Sequence, residues 1–150
     1  MRENGKKDRL SLFLLLGSIV VAIVGLMITK GQTYSDMGQL CPTAADVEYI
    51  IVYAYHNGGE DTNGVTRDDG EIQELIDLCK ATPLQDKRES YVGIDYEDTM
   101  YTIKMGHKNS TYSFSVTKAG EVYHANGKYL LAGDGAALYD WLDAHSTQGT

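Results

Sequence analysis

The fold is decided by residues 99–118, which read TMYTIKMGHKNSTYSFSVTK. In the first half Tyr101, Ile103 and Met105 alternate with other residues, and in the second half aromatic or branched residues alternate with serines. A period of two with one apolar side is typical of strands that have one face in a core and one in water. The HKNS stretch between the halves predicts a hairpin that joins the two strands as an antiparallel pair.

The segments on either side of this pair extend the sheet. DVEYIIVYAYH (46–56) is apolar on both sides at its middle, which predicts a central strand. EVYHANGKYLLAG (121–133) predicts a hairpin that turns at Asn126-Gly127, because a tight turn needs positive φ angles. YVGIDY (91–96) predicts a further short strand, and NGGEDTNGVTRDDG (57–70) predicts a long loop.

Two helices complete the pattern. EIQELIDLCKATP (71–83) places apolar residues three and four apart, with Asp68 and Glu71 as a capping box and Pro83 as the stop. DGAALYDWLDAH (134–145) predicts a second helix with Asp134 as its cap. The order predicts an α+β fold, a mostly antiparallel sheet with one or two helices packed on one face.

A single apolar run precedes this domain. SLFLLLGSIVVAIVGLMIT (11–29) contains no charged side chain, and as a helix it rises about 28 Å, close to the thickness of a bilayer. Basic residues are concentrated in residues 1–10, which places this tail in the cytoplasm and the remainder outside. The run predicts an uncleaved transmembrane signal anchor. A cleaved signal peptide, or a lipid-modified Cys41, is the alternative, and each would also put the domain outside.

These features divide the chain. After the cytoplasmic tail (1–10) and the anchor (11–29), we expect a polar stalk over 30–40, an extracytoplasmic domain over 41–145 and a disordered tail over 146–150. From residue 31 onward, nineteen Asp and Glu outnumber eight Lys and Arg, which argues against nucleic acid as a partner. Eleven tyrosines against two Phe and one Trp are typical of half-exposed strands, and they suggest a binding surface. Its candidate residues are Tyr49, Tyr53, Tyr55, Tyr101 and Tyr112.

The two cysteines, Cys41 and Cys79, both follow the apolar run, in a compartment where disulfides persist. A bond between them would close a loop of about 38 residues and stabilise the fold by about 3–4 kcal/mol. The alternative is that Cys79 is only a small apolar residue of its helix, and the sequence leaves both interpretations open.

The search for catalytic or metal-binding patterns finds no HExxH, GxSxG or P-loop spacing. His56, Asp61 and His124 are the candidate metal ligands if the strands bring them together. The sequence therefore predicts no cofactor and no catalytic residue. A small metal-dependent extracytoplasmic enzyme is the alternative, and a purely structural assembly subunit is a third class.

Residues 47–142 resemble a group of known bacterial domains. Through EIQELIDLCKATPLQDKRES, TYSFSV and GEVYHANGKYLLAGDGAALYDWL, the chain resembles a group of small uncharacterised exported domains of Firmicutes-type bacteria. The resemblance implies an exported or lipoprotein-like location and supplies no activity. We therefore expect a non-catalytic module at the cell membrane that binds a protein, a peptide or a cell-envelope component.

Overall fold

A six-stranded antiparallel sheet carries the fold, with two α-helices on one of its faces, in a computed structural model that describes residues 15, 18, 19 and 33–147. The predicted α+β class is confirmed. The order of strands across the sheet is β2-β1-β3-β4-β5-β6. In chain order the elements are 3-10 helices at Met37–Leu40 and Ala44–Asp46, then β1 (Tyr49–His56), β2 (Thr62–Thr66), α1 (Asp69–Lys80), β3 (Thr99–His107), β4 (Ser110–Thr117), β5 (Glu121–His124), β6 (Gly127–Leu130) and α2 (Ala136–Ser146).

The predicted antiparallel pair lies at the middle of the sheet. Ile103 of β3 lies opposite Phe114 of β4 on one side and opposite Val52 of β1 on the other. All three side chains are buried and face the helices, because alternate residues of a strand point to the same side. The period of two therefore predicted correctly which face of β3 and β4 lies in the core.

β1 is a central strand, as its two apolar sides predict, but its second neighbour was not expected. Residues 62–66 fall in the segment predicted to be a loop, and they form the edge strand β2, in which Gly64 lies opposite Val52. This strand has a single apolar side chain, Val65, so no alternation marks it in the sequence. Pairing with β1, rather than a local sequence pattern, makes this segment a strand.

The strand predicted over 91–96 is wrong, because these residues form an irregular loop. Gly93 has a φ of 79°, which interrupts extended backbone. The Tyr91 hydroxyl donates to the carbonyl of His124 at 3.2 Å, and Tyr91 packs edge-on against Tyr123. Contacts of the Tyr91 side chain with β5 thus hold the loop in place, rather than strand pairing.

α1 begins at the predicted cap, with one difference. The Asp68 carboxylate accepts a hydrogen bond from the backbone N–H of Glu71 at 3.0 Å. The Glu71 carboxylate accepts from the Thr66 hydroxyl instead of from the backbone of Asp68, whose N–H donates to Thr66 Oγ1. Thr66, the last residue of β2, therefore joins the strand to the start of the helix.

The folded part begins before Cys41, the residue at which the sequence predicts the start of the domain. Met37 and Leu40 are buried in the same core as α1, and the backbone N–H of Met37 donates to the carbonyl of Thr82 at 3.0 Å. The predicted span at 11–29 lies outside the described residues, apart from Leu15, Ser18 and Ile19. Within the described part of the chain no helix has the length and apolar character needed to cross a bilayer.

Candidate functional site

The face of the sheet opposite the helices carries three of the five candidate tyrosines. Tyr49, Tyr53 and Tyr55 alternate along β1 with buried core residues and are half-buried. The Arg67 guanidinium lies 5.2 Å from the centre of the Tyr49 ring, and the Lys104 amine lies 5.1 Å from that of Tyr53. Two cations thus rest on tyrosine rings, so this row is already occupied by residues of the protein itself.

The other two candidate tyrosines lie elsewhere. Tyr101 is on the helix side of β3 and is fully buried, so it does not belong to an exposed surface. Tyr112 is 43% exposed and lies opposite Met105, near the end of the β3–β4 pair. The alternation within β3 and β4 places both on the core side, which separates them from the row on β1.

A groove of about 630 Å³ lies at one end of the sheet. One wall is the loop that ends at Asp98, and the others come from the turn after β4 and from β5 and β6. The side chain of Asn57 donates to the carbonyls of Tyr96 and Glu97, at 3.4 and 3.2 Å, which fixes that wall. The groove is lined by residues 95–99 and 117–119 together with Glu121, Tyr123 and Lys128.

Both lysines of the groove are paired with carboxylates. Lys128 lies 2.5 Å from Glu121, and Lys118 lies 2.9 Å from Asp143 of α2. The hydrogen bond from Lys128 holds the pKa of Glu121 below its usual value, although partial burial opposes this, and the same bond raises the pKa of Lys128. These pairs leave little free positive charge in the groove.

The groove as a whole is acidic. Four carboxylates line it against two amines, an excess of two negative charges. Asp95, Glu97 and Asp98 are exposed along a single wall. A volume of this size is typical of small-ligand sites, and the charges favour a cationic group. The groove can bind and orient an amine or a guanidinium.

A polar contact lies at the end of the acidic wall, where β3 begins. The Thr99 hydroxyl donates to the Asp98 carboxylate at 3.2 Å, and His56 Nδ1 lies 3.0 Å from the Thr99 hydroxyl oxygen. Since Thr99 is only 5% exposed, its hydroxyl serves to brace the end of β1 against the start of β3.

The candidate metal ligands do not converge. His124 ends β5, which is three strands from the His56 strand, a separation of roughly 14 Å at the usual strand spacing. Asp61 accepts from the backbone N–H of His56 at 3.2 Å, and His124 Nδ1 contacts Asn126. In the described part of the chain no three His, Cys, Asp or Glu residues are grouped as a metal would require.

Cys41 and Cys79 come together, and both are free thiols here. Cys41 follows the first 3-10 helix and is half-buried, while Cys79 lies in the last turn of α1 and is fully buried. Cys41 packs against the buried core that includes Cys79, and its thiol donates to the carbonyl of Met37 at 3.5 Å. Hydrogen bonding to Cys41, followed by burial, raises the pKa of the Cys79 thiol well above its usual value.

Comparison with known proteins adds no relative: no family model, curated protein or solved structure matches this chain. The site is therefore characterised by its geometry and charge alone. The groove was not expected from the sequence, because YVGIDY predicts a strand over 91–96, whereas Asp95 and Tyr96 line the groove. The run of acidic residues at 95, 97 and 98 was the signal in the sequence that could have indicated it.

Proposed function

We propose that this protein is a membrane-anchored binding module that works outside the cytoplasm and takes a positively charged peptide segment of a partner protein into its acidic groove. The anchor is the apolar run at 11–29, and the basic residues before it support an N-terminus in the cytoplasm. The resemblance to exported domains supports the same location.

The acidic groove is the observation that carries the proposal. Its lysines are paired with Glu121 and Asp143, so the carboxylates of Asp95, Glu97 and Asp98 set the local potential. A partner that brings Lys or Arg side chains would satisfy these exposed acids, and electrostatic attraction would also speed its approach. A peptide suits the groove because its lining comes from several parts of the chain, namely the residues before β3, the turn after β4, and β5 and β6.

The open sheet face beside the groove offers additional contact area. Tyr53 and Tyr55 lie nearly parallel, with ring centres 6.3 Å apart, and each side chain is partly exposed on this face. Tyrosines provide large contact area at low conformational-entropy cost, which is why they are common in protein interfaces. The partner segment would lie in the groove, with the tyrosine row at the periphery.

Binding of paired synthetic peptides tests the proposal. Full-length protein in detergent is titrated into fluorescein-labelled alternating Lys-Ser and Glu-Ser peptides at physiological salt, and fluorescence anisotropy is measured. We expect binding of the basic peptide only, since the groove and the domain are both acidic. Binding of the acidic peptide at equal affinity would contradict the proposal.

A charge-matched pair of variants separates the groove from the overall charge. Asp95→Lys combined with Glu97→Lys reverses two exposed charges in the groove, and Asp46→Lys combined with Glu48→Lys reverses two exposed charges elsewhere. We expect the groove variant to lose about tenfold or more in affinity and the control to keep nearly all of it. Equal losses in both variants would show that only net charge matters.

A further inference from the structure

The first 3-10 helix is seated directly on the last turn of α1. A Cβ added at Gly38 would lie 2.9 Å from Cα of Lys80, so the two backbones approach as closely as glycine permits. Backbone hydrogen bonds reinforce the contact: Met37 N–H donates to the carbonyl of Thr82, and Leu84 N–H donates to that of Ser35. This packing brings together two cysteines that are 38 positions apart in the sequence.

We propose that Cys41 and Cys79 form an intramolecular disulfide that ties the first residues of the folded domain to α1. The location of this modification outside the cytoplasm rests on the proposed function. Cys79 is fully buried, so it cannot reach a second molecule and can bond only to Cys41. The close approach of Gly38 to Lys80, with Cys41 packed against the core that contains Cys79, supplies the proximity that sequence alone leaves open.

The two cysteines have different roles in forming the bond. Cys41 is half-buried and lines an open cavity with Gly38 and Lys80, where an external disulfide can reach it. Its thiolate attacks one sulfur of that donor, forming a mixed disulfide and releasing one donor thiol. Cys79 then loses its proton and attacks the Cys41 sulfur, which releases the second donor thiol. Two protein thiols are oxidised, and one donor disulfide is reduced to two thiols.

The bond has a mechanical consequence. Any tension between a membrane anchor and the domain enters the fold at the residues just ahead of Cys41. The 3-10 helix is held by few backbone hydrogen bonds, whereas the disulfide transfers the load to α1 and the core through a covalent link. The bond would thus prevent the first 3-10 helix from separating from α1 under tension.

Oxidation of the purified protein tests the pairing without reference to location. Full-length reduced protein in detergent is incubated with oxidised glutathione, denatured, alkylated with iodoacetamide and weighed by mass spectrometry. We expect a monomer without alkylated cysteine, and a Tm that falls by roughly 10 °C when reductant is added. In Cys41→Ser, which leaves the buried core position unchanged, reductant should not shift the Tm. Two alkylated thiols in the native chain, or a stable glutathione adduct, would overturn the pairing.

The same alkylation performed on intact cells separates the inference from the proposed function. Cells are quenched with acid before lysis, so that the thiols keep their state. Oxidised cysteines in cells support the disulfide outside the cytoplasm. Reduced thiols in cells, for a protein that does form the bond with glutathione disulfide, would overturn the proposed location and leave the pairing intact.

Discussion

The Tyr101 hydroxyl donates a hydrogen bond to the Asp143 carboxylate, which joins the middle of the sheet to α2. Lys118, in the turn after β4, donates to the other oxygen of the same carboxylate at 2.9 Å. The Lys118 amine also lies 5.7 Å from the centre of the Tyr139 ring. Because Lys118 lines the groove, this one carboxylate connects the core side of the sheet to the site.

Replacing Tyr101 by Phe removes the hydroxyl and keeps the ring. We expect the free energy of unfolding to fall by about 1–2 kcal/mol, since the lost hydrogen bond has a charged acceptor. Urea unfolding measures the change. Tyr112→Phe is the control, because Tyr112 is 43% exposed, and it should alter stability by less than about 0.5 kcal/mol. Equal effects of the two substitutions would contradict the role of the Tyr101–Asp143 bond.

The pKa of Tyr101 predicts how the stability of the fold changes at alkaline pH. Burial, followed by the hydrogen bond to Asp143, raises the pKa of Tyr101 to about 12. A pKa raised in the folded state contributes stability below the unfolded value of about 10, and this contribution is lost as pH rises from about 10 towards 12. Phenolate absorbance should show a late-titrating tyrosine that is missing in Tyr101→Phe. A titration curve unchanged by the substitution would be inconsistent with this assignment.

Acid pH affects Asp143, the acceptor of the hydrogen bond from Tyr101. Burial raises the pKa of Asp143, but the hydrogen bonds from Tyr101 and Lys118 outweigh it, so the pKa is lowered overall. A lowered carboxyl pKa contributes stability above the unfolded value, and that stability is lost as pH falls below about 4. Unfolding midpoints in urea should therefore decrease with acid less steeply in Asp143→Asn than in the native protein. The account fails if the two pH profiles are parallel.

A close contact on the open face makes a fourth prediction. Gly106 of β3 lies opposite Tyr49, and an added Cβ would fall 2.1 Å from Tyr49 Cζ. Gly106→Ala should cost about 1–3 kcal/mol because the ring must leave its place beside Arg67. Gly133→Ala, where no atom lies within 4 Å of the added Cβ, is the control for adding a methyl group.

A double-mutant cycle assigns the cost of Gly106→Ala to the ring. In a Tyr49→Ala background the same substitution should cost much less, since the displaced ring is absent. Strictly additive losses would show that Gly106 is required for another reason.

The elements that the sequence predicted correctly are those whose pattern is local. The alternation of Tyr101, Ile103 and Met105 marks β3, and the Asp68 cap marks α1. Each is determined by neighbouring residues, through strand alternation or through a hydrogen bond three residues away.

The elements that the sequence missed depend on distant partners. β2 exists because Gly64 and its neighbours pair with β1. The path of the loop over 91–96 is set by the contact of Tyr91 with Tyr123. The groove is formed by residues 95–99 and by residues as far along the chain as Lys128, so no local pattern could reveal it. The meeting of Cys41 and Cys79 depends in the same way on packing between distant segments.

Display of the domain outside the cytoplasm is the central claim of the proposed function, and cysteine labelling of whole cells tests it most directly. Val92 is fully exposed, so Val92→Cys in a Cys41→Ser background offers an accessible thiol, and Asn4→Cys marks the basic tail. With a membrane-impermeant maleimide, we predict that the thiol at 92 is labelled in intact cells and the thiol at 4 only after permeabilisation. Protection of the thiol at 92 until the cells are permeabilised would contradict the account.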